Sequence, residues 1–336
     1  MSFNRDGLVS NNFIKPLMMM FLLVSCVNAK EEARFNIFYE GWQAQNNENY
    51  EKAIELYTKA SKEGCSAAQF HISKMYEEGL GVNIDYEKAL QGYEEIAKRG
   101  YVKAQFLLAQ MYESGRGVSK DNEKAFFWYK QAADQKNVAS QLALADMYYH
   151  AIGVKKSLFK SAKYYKEAVL QGSLEAKTAL AKLYIDEKQM HKHYAEGKRM
   201  LIQAAQKGEV EAQYYLSQLY LDSKAFQKDL DLSLYWLEKA ADQGYTKAQY
   251  ELGSMYARAI NLESNYEKAL HYLELSAKSG YAHAQYDLGL MYHEGLGVEV
   301  DKAKSYYYWT QARDNEDKDA EHNLKILCRN SPSICK

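Results

Sequence analysis

The stretch Ala248-Gln249-Tyr250-Glu251-Leu252-Gly253-Ser254-Met255-Tyr256 decides the fold of this chain of 336 residues, because its pattern returns every 36 residues. The glutamine serves as the reference position, and the equivalent residues are Gln69, Gln105, Gln141, Lys177, Gln213, Gln249 and Gln285. A small residue precedes it at Ala68, Ala104, Ser140, Ala176, Ala212, Ala248 and Ala284. A tyrosine follows seven positions later at Tyr76, Tyr112, Tyr148, Tyr184, Tyr220, Tyr256 and Tyr292. Self-similarity at a fixed period of this length indicates seven stacked structural repeats.

The apolar positions of each repeat have helical spacing. An aliphatic residue stands three positions after the reference, and Met or Leu stands six positions after it. Spacings of three, four and seven residues lie on one face of a helix, so we predict a first helix, helix A, in every repeat. Helix A spans for example Ser66 to about Glu78 and ends at the glycines of Gly79-Leu80-Gly81-Val82. Only Pro16 and Pro332 are prolines, so the body of the chain lacks the strongest helix breaker.

A second helix, helix B, is predicted in the other half of each repeat. Asp85 is the expected N-cap, and Glu87 lies in the first turn, where the helix dipole favours negative charge. Helix B then ends near Lys98-Arg99-Gly100. Its small residues are Ala53, Ala89, Ala125, Ser161, Gly197, Ser233, Ala269 and Ser305. Small side chains at such positions allow two helices to cross at about 8–10 Å.

These motifs resemble the Sel-one-like repeat (SLR), a relative of the tetratricopeptide repeat. Ala248 to Tyr256 carries the first half of the SLR motif, and Asp121-Asn122-Glu123-Lys124-Ala125-Phe126-Phe127-Trp128-Tyr129 carries the second. The resemblance implies an all-α fold, an α/α right-handed superhelical solenoid. The repeats that begin near Glu175, Glu211 and Lys247 depart from the motif, because they lack the Gly-x-Gly-Val turn.

The resemblance also suggests domain boundaries. Residues 34–64 resemble a tetratricopeptide unit, residues 65–316 form the seven SLR units, and residues 317–336 form a capping helix and tail. Before them, residues 1–25 have a charged start and the short apolar run of Leu17 to Val24, which is typical of a signal peptide. Residues 26–33 are then a short linker.

Two processing sites are compatible with the signal peptide. Leu23-Val24-Ser25-Cys26 matches the bacterial lipobox, and it predicts a lipoprotein anchored to the membrane through Cys26. Alternatively, cleavage after Val27-Asn28-Ala29 would release a periplasmic or secreted protein that begins at Lys30. Either reading implies export across the inner membrane, where disulfides can persist.

The remaining cysteines follow from export. Cys328 and Cys335 flank a short turn-rich segment and are candidates for a disulfide. With Cys26 lipidated, Cys65 would be left over, and we expect a buried, unpaired thiol there.

The sequence offers no recognisable catalytic constellation. His191 and His193 form the only close histidine pair, but no cysteine or carboxylate cluster completes a metal site, so a surface loop is expected. Ser157-x-x-Lys160 matches one motif of penicillin-recognising enzymes, but its companion motifs are absent. We therefore predict no catalytic residue, no metal ligand and no cofactor. The 43 basic and 44 acidic residues leave no net field for nucleic acid.

The candidate binding surface is the side of helix A opposite its core stripe. In tetratricopeptide-like solenoids this stripe lines the concave groove. The groove candidates are Phe70, Lys74, Glu77, Phe106, Gln110, Glu113, Asp146, Tyr149, Tyr214, Gln218, Tyr250, Tyr286 and His293. Aromatic rings with polar neighbours suit an extended peptide or a glycan. The alternative is that these rings only pack against the neighbouring helix.

These features predict a non-catalytic protein–protein interaction scaffold or adaptor of the bacterial cell envelope. Its partner would be a protein or peptide of unknown identity, held in the groove. The alternatives are an envelope or virulence factor that binds glycan such as peptidoglycan, and a β-lactam-processing enzyme.

Overall fold

The computed structural model describes residues 31–221, 226–258 and 265–335. The predicted signal peptide, the lipidation site at Cys26 and the alternative cleavage site at Ala29 lie outside these residues. Within them the chain is all-α, with seventeen α-helices and no strand. The described helices fall into two compact units, unit 1 up to Ser173 and unit 2 from Leu174 onward.

The helices of unit 1 are α1 (Glu31–Asn46), α2 (Tyr50–Lys62), α3 (Ser66–Glu78), α4 (Tyr86–Lys98), α5 (Val102–Ser114), α6 (Asn122–Asp134), α7 (Val138–His150) and α8 (Leu158–Leu170). Those of unit 2 are α9 (Leu174–Asp186), α10 (Tyr194–Gln206), α11 (Val210–Leu221), α12 (Leu230–Asp242), α13 (Thr246–Ala257), α14 (Tyr266–Lys278), α15 (Ala282–Glu294), α16 (Lys302–Asp314) and α17 (Lys318–Asn330). Odd-numbered helices from α1 to α15 are A helices, and even-numbered helices are B helices. Within each unit, every A helix packs against the B helix that follows it, and each B helix packs against the next A helix.

The turn between helix A and helix B is built by the same bonds in successive repeats. Asp85 caps α4, because its carboxylate accepts the backbone N–H of Lys88 at 2.9 Å. The backbone N–H of Asp85 donates in turn to the carbonyl of Tyr76 at 2.9 Å. Gly79 ends α3 with φ +72°, a left-handed conformation that glycine adopts without strain. Ala151 takes the same conformation after α7.

One repeat builds this connection differently. Between α9 and α10, which lack the Gly-x-Gly-Val turn, the chain forms a 3₁₀-helix over Lys188–His193. His193 stacks on Tyr184 with ring centroids 4.6 Å apart, and its Nδ1 lies 3.1 Å from Glu196. The expected surface loop is thus a short helix in which His193 is half-buried.

The core of each unit lies where neighbouring helices cross. The small residue before each reference position is fully buried in all seven repeats, at Ala68, Ala104, Ser140, Ala176, Ala212, Ala248 and Ala284. The small residues of the B helices are buried as well. Backbones that approach this closely leave no room for larger side chains, so these residues set the spacing of the helices.

The tyrosine seven positions after the reference is mainly a core residue. Its recurrence accounts for part of the 30 tyrosines of the chain. A lysine of the following B helix covers its ring in several repeats. In α6 the Nζ atom of Lys124 lies 5.1 Å from the ring centroid of Tyr112, and in α16 that of Lys304 lies 4.6 Å from Tyr292. The ring thus gains a cation–π contact as well as burial.

The disulfides correct one expectation. Cys328 and Cys335 are joined, with their Cα atoms 5.6 Å apart, at the end of α17. Cys65 is buried at the start of α3, but it is disulfide-bonded. The expectation of an unpaired thiol at Cys65 is therefore wrong. It depended on lipidation removing Cys26 as a pairing partner, and the spacing of the cysteines gave no other signal.

Candidate binding surface on the A helices

The thirteen groove candidates are divided between the two units. Unit 1 holds Phe70, Lys74, Glu77, Phe106, Gln110, Glu113, Asp146 and Tyr149, and unit 2 holds Tyr214, Gln218, Tyr250, Tyr286 and His293. All are half-buried except Asp146, which is exposed. The surface they form within each unit is called the A-helix face below.

On α3, Phe70 and Glu77 meet a buried tyrosine of the following B helix. The ring centroids of Phe70 and Tyr93 lie 5.7 Å apart, and the Tyr93 hydroxyl donates to Oε2 of Glu77 at 2.9 Å. The other carboxylate oxygen, Oε1, accepts a bond from Nη1 of Arg116 at 3.0 Å. Lys74 is not part of this group, because its ammonium pairs with Glu78 at 3.4 Å.

The same arrangement recurs on α5. The ring centroids of Phe106 and Tyr129 lie 5.8 Å apart, and the Tyr129 hydroxyl donates to Oε2 of Glu113 at 2.7 Å. Gln110 lies one turn before Glu113 on the same helix. The Tyr129 hydroxyl thus holds the Glu113 carboxylate in a fixed position.

Further along unit 1 the pattern changes. On α7 the hydroxyl of buried Tyr165 donates to Asp146, which lies one turn earlier than the glutamates of the previous repeats. Tyr149 takes the position of those glutamates, and the Nζ atom of Lys156 lies 5.1 Å from its ring centroid. The residue that accepts the tyrosine hydroxyl bond therefore does not have the same position in every repeat.

The buried B-helix tyrosines were missed as site residues, although they recur every 36 residues at Tyr57, Tyr93, Tyr129 and Tyr165. Burial raises the pKa of all four hydroxyls well above the ordinary value. For Tyr93 and Tyr129 the neighbouring glutamate raises the pKa further. Each hydroxyl therefore remains a proton donor across the neutral range and fixes its acceptor. The 36-residue period could have identified these tyrosines, but it does not indicate which carboxylate accepts the bond from each hydroxyl.

In unit 2 the A-helix face is linked by bonds between successive A helices. The Tyr214 hydroxyl donates to Glu251 at 2.5 Å, and Nε2 of Gln218 donates to the other oxygen of the same carboxylate at 2.6 Å. Tyr250 packs against Tyr281 with ring centroids 5.0 Å apart. The groove candidates Tyr214, Gln218 and Tyr250 thus lie in a network that joins α11 to α13 and α13 to the start of α15.

The last A helix carries a buried carboxylate and a histidine that packs on a tryptophan. Asp287 accepts two bonds from Arg258, at 2.9 and 3.1 Å, and burial raises its pKa while Arg258 opposes that shift. The Tyr286 hydroxyl accepts a bond from Asn323 at 3.3 Å. His293 packs on Trp309 with ring centroids 5.2 Å apart. These groups tie α15 to α13, α16 and α17.

The aromatic candidates do pack against the neighbouring repeat. Phe70 contacts Tyr101 at the start of α5, with ring centroids 5.5 Å apart, and Tyr214 contacts Tyr245 at 4.9 Å. Their rings nevertheless stay half-buried rather than buried. Each ring therefore contributes to the seam between repeats and leaves part of its surface exposed.

Ser157 and Lys160 have roles within the repeat. Ser157 is the N-cap of α8, and its hydroxyl accepts the backbone N–H of Lys160 at 3.4 Å. The Nζ atom of Lys160 lies over the ring of Tyr148, 5.1 Å from its centroid. Among the residues that the structure describes, no group of His, Cys, Asp and Glu side chains could hold a metal ion. In the same ranges no helix is long and apolar enough to cross a membrane.

The buried tyrosines predict how stability depends on alkaline pH. Because their pKa is raised above 10.0 in the folded state, the folded chain holds these protons more tightly than the unfolded chain does. Their contribution to stability is complete below about pH 10 and is lost as the pH rises beyond it. We expect denaturant midpoints to fall above that pH, and we expect part of the near-ultraviolet tyrosinate absorbance to appear only with loss of helical circular dichroism. Complete tyrosine ionisation in a fully helical protein would contradict this.

Comparison with known proteins places this architecture in a family. The model of the Sel1 repeat matches residues 36–65, 66–101, 102–137, 138–173, 210–245, 246–281 and 282–317. The matches include residues 36–65, which the sequence analysis assigned to a tetratricopeptide-like unit. They do not include residues 174–209, which it counted as a repeat. A search of curated proteins found no match.

Solved structures agree with the family match. A Sel1 repeat protein from Oxalobacter formigenes is 30% identical over 71% of this chain and 96% of its own, with a TM-score of 0.64. A protective antigen of uropathogenic Escherichia coli with an SLR fold is 25% identical over 83% of this chain, with a TM-score of 0.59; the chain spans 60% of that antigen. Yeast Tom70 shares the fold alone, with 14% identity and a TM-score of 0.54 over 99% of this chain and 68% of its own.

These findings confirm the predicted all-α solenoid class and the predicted resemblance. Proteins of this kind generally mediate protein–protein interactions, and the fold is typically a non-catalytic scaffold. With seven family matches that together span most of its length, this chain belongs to the Sel1 repeat family.

Proposed function

We propose that this protein is a non-catalytic scaffold or adaptor of the bacterial cell envelope that binds a protein partner on the A-helix face. The observation that carries the proposal is the repeated ring–carboxylate arrangement of unit 1. Phe70 and Glu77 contact one tyrosine, and Phe106 and Glu113 contact another. The Glu77 carboxylate is already paired with Arg116, so Glu113 is the carboxylate offered to a partner. Aromatic residues are enriched in protein interfaces, and a fixed carboxylate can form a charge-assisted hydrogen bond with a cation of the partner.

Pre-organisation is what makes these groups useful for binding. A free glutamate loses rotamer entropy when a partner immobilises it. The Tyr93 and Tyr129 hydroxyls already hold Glu77 and Glu113 at 2.9 and 2.7 Å in the absence of any partner. Much of the ordering cost of binding is therefore met during folding, and a larger share of the contact free energy is available for affinity.

The disulfides support export. Cys328 is bonded to Cys335, and Cys65 is also disulfide-bonded. Disulfides persist in oxidising compartments and are rare in the cytosol. The similar Escherichia coli protein is a protective antigen, which agrees with an exposed location for this chain as well. We propose that the mature protein is exported. Within one chain, a lipid anchor on Cys26 and the disulfide of Cys65 exclude each other, because the chain has four cysteines and Cys328 pairs with Cys335.

A glycan ligand such as peptidoglycan is the second candidate. The tyrosines of unit 2 favour it, because Tyr250 and Tyr281 form a half-buried pair with hydroxyl groups beside flat ring surfaces. The unit 1 carboxylates favour the protein partner instead, since a neutral glycan makes no use of their charge. The protein partner is therefore the leading proposal.

Site-specific photocrosslinking in the native host tests where a partner binds. A photoreactive amino acid replaces Gln110 on the A-helix face of α5, and in a matched control it replaces Gln91, which is exposed on the B helix α4. We expect a discrete crosslinked protein, identified by mass spectrometry, from position 110 and not from position 91. Equal crosslinking at both positions, or a product at position 110 that contains glycan and no second protein, would reject the proposal.

Metabolic labelling with a fatty acid tests the anchor. A lipid on Cys26 predicts that the wild-type protein incorporates the label and fractionates with membranes, whereas Cys26→Ser loses the label, because the lipid is attached through the cysteine sulfur. Cys335→Ser is a control that removes a cysteine elsewhere in the chain and should keep the label. Label that persists in Cys26→Ser would show that the anchor is not at this residue. An unlabelled wild-type protein that begins at Lys30 would establish cleavage after Ala29 instead.

A further inference from the structure

Unit 1 contains two copies of one side-chain arrangement with nearly identical geometry. The rings of Phe70 and Tyr93 are inclined by 52°, and those of Phe106 and Tyr129 by 53°. The centroid distances are 5.7 and 5.8 Å, and the hydroxyl-to-carboxylate distances are 2.9 and 2.7 Å. The two are called the Phe70 site (Phe70, Glu77, Tyr93) and the Phe106 site (Phe106, Glu113, Tyr129). Any group that fits one of them should fit the other.

The Phe70 site contains a guanidinium group of the chain itself. Nη1 of Arg116 donates to Oε1 of Glu77 at 3.0 Å, and the Glu77 side chain is only 12% exposed. Arg116 comes from the turn after α5, one repeat further along the chain. The Phe70 site thus shows which ligand this arrangement accepts: an arginine head group, bound by the carboxylate oxygen that the tyrosine leaves free.

The Phe106 site has a different residue at the corresponding place. The residue 36 positions after Arg116 is Ile152. The two backbones are equivalent, since the N–H of Arg116 donates to the Met111 carbonyl at 3.0 Å and that of Ile152 donates to the Met147 carbonyl at 3.0 Å. Isoleucine supplies no cation. Glu113 therefore has the tyrosine bond at Oε2 but not the arginine that its counterpart Glu77 has at Oε1.

We infer that the Phe106 site binds an arginine side chain of the protein partner, in the way that Arg116 occupies the Phe70 site. This inference rests on the proposed function and names the chemistry of its partner. The Glu113 carboxylate provides the charge complementarity, as Glu77 does for Arg116. Arginine is preferred to lysine, because its planar head group carries several N–H donors in a fixed geometry that matches a carboxylate.

An amide oxygen can accept a tyrosine hydroxyl bond of this kind in place of a carboxylate. In the first helix pair the Tyr57 hydroxyl donates to the amide oxygen of Gln45 at 2.7 Å, so a neutral side chain accepts the same kind of bond. Glu113→Gln should therefore keep the bond from Tyr129 and remove only the charge.

The test uses fluorine NMR on the full chain with 4-fluorophenylalanine at position 106, or at position 70 as the matched control. Nα-acetyl-argininamide is the titrant, and Nα-acetyl-lysinamide tests selectivity. We expect a saturable shift of the fluorine signal at position 106 and none at position 70. Lysinamide should bind more weakly, and Glu113→Gln should weaken argininamide binding by about tenfold or more, because charge-assisted bonds are among the strongest polar contacts.

Two further variants change which of the two sites is occupied by an arginine of the chain itself. Ile152→Arg should supply the missing guanidinium from within the chain and abolish the response at position 106. Arg116→Ala should empty the Phe70 site, so that the signal at position 70 begins to respond to argininamide. Circular dichroism checks that each variant is folded, and the two sites serve as controls for each other.

The inference is wrong if the signal at position 106 does not respond, if it responds equally in Glu113→Gln, or if lysinamide binds as well as argininamide. Crosslinking of a partner at position 110 without argininamide binding would overturn the inference and leave the proposed function intact. Argininamide binding at the Phe106 site without any crosslinked protein would reject the proposed function and leave the ligand chemistry of the site intact.

Discussion

The link between successive helix pairs is made by one buried side chain, the reference glutamine, at Gln105, Gln213, Gln249 and Gln285. Nε2 of Gln105 donates to the Ala97 carbonyl at the end of the preceding B helix at 3.1 Å, and its Oε1 accepts from Gln135 at the end of its own B helix at 2.9 Å. Gln213 makes the equivalent bonds at 3.0 and 2.7 Å. One amide thus joins three helices and binds a carbonyl at a helix end, which also accepts the backbone N–H of Gly100 at 2.9 Å. The fully buried small residue beside it allows the helices to come close enough for these bonds.

The repeat without this glutamine shows what the constraint controls. Lys177 replaces it, and the family model does not match residues 174–209. The helix pair of α9 and α10 still forms, but a 3₁₀-helix connects the two helices. Thr178 there bonds to Glu209 at 2.7 Å, a contact between side chains that replaces part of the missing network. Apolar burial is therefore enough for a helix pair to form without the glutamine.

Much of the fold could be predicted because it is local and repeated. Helix A was predicted from Ser66 to about Glu78, where the structure has it, and Asp85 is the N-cap that the sequence indicated. The role of the glutamine was not predicted, because a polar residue in a helix gives no indication of which carbonyl it will reach. The surface was predicted only in part, because the period located Phe106 and Glu113 but not the bonds that fix the carboxylates. Tyr129 lies 16 positions from its partner Glu113 in the sequence, and Arg116 lies 39 positions from its partner Glu77. Such contacts follow from how repeats stack, which single-helix geometry does not encode.

The most direct test of the account is the stability of Gln105→Leu measured by urea denaturation. Removing the amide deletes the bonds to the Ala97 carbonyl and Gln135 in a site where Gln105 is only 4% exposed. The account predicts a loss of about 1–3 kcal/mol in the free energy of unfolding. The same substitution at exposed Gln91 should change it by less than about 0.5 kcal/mol. Equal stability of the two variants would contradict the claim that the buried glutamine holds successive helix pairs together.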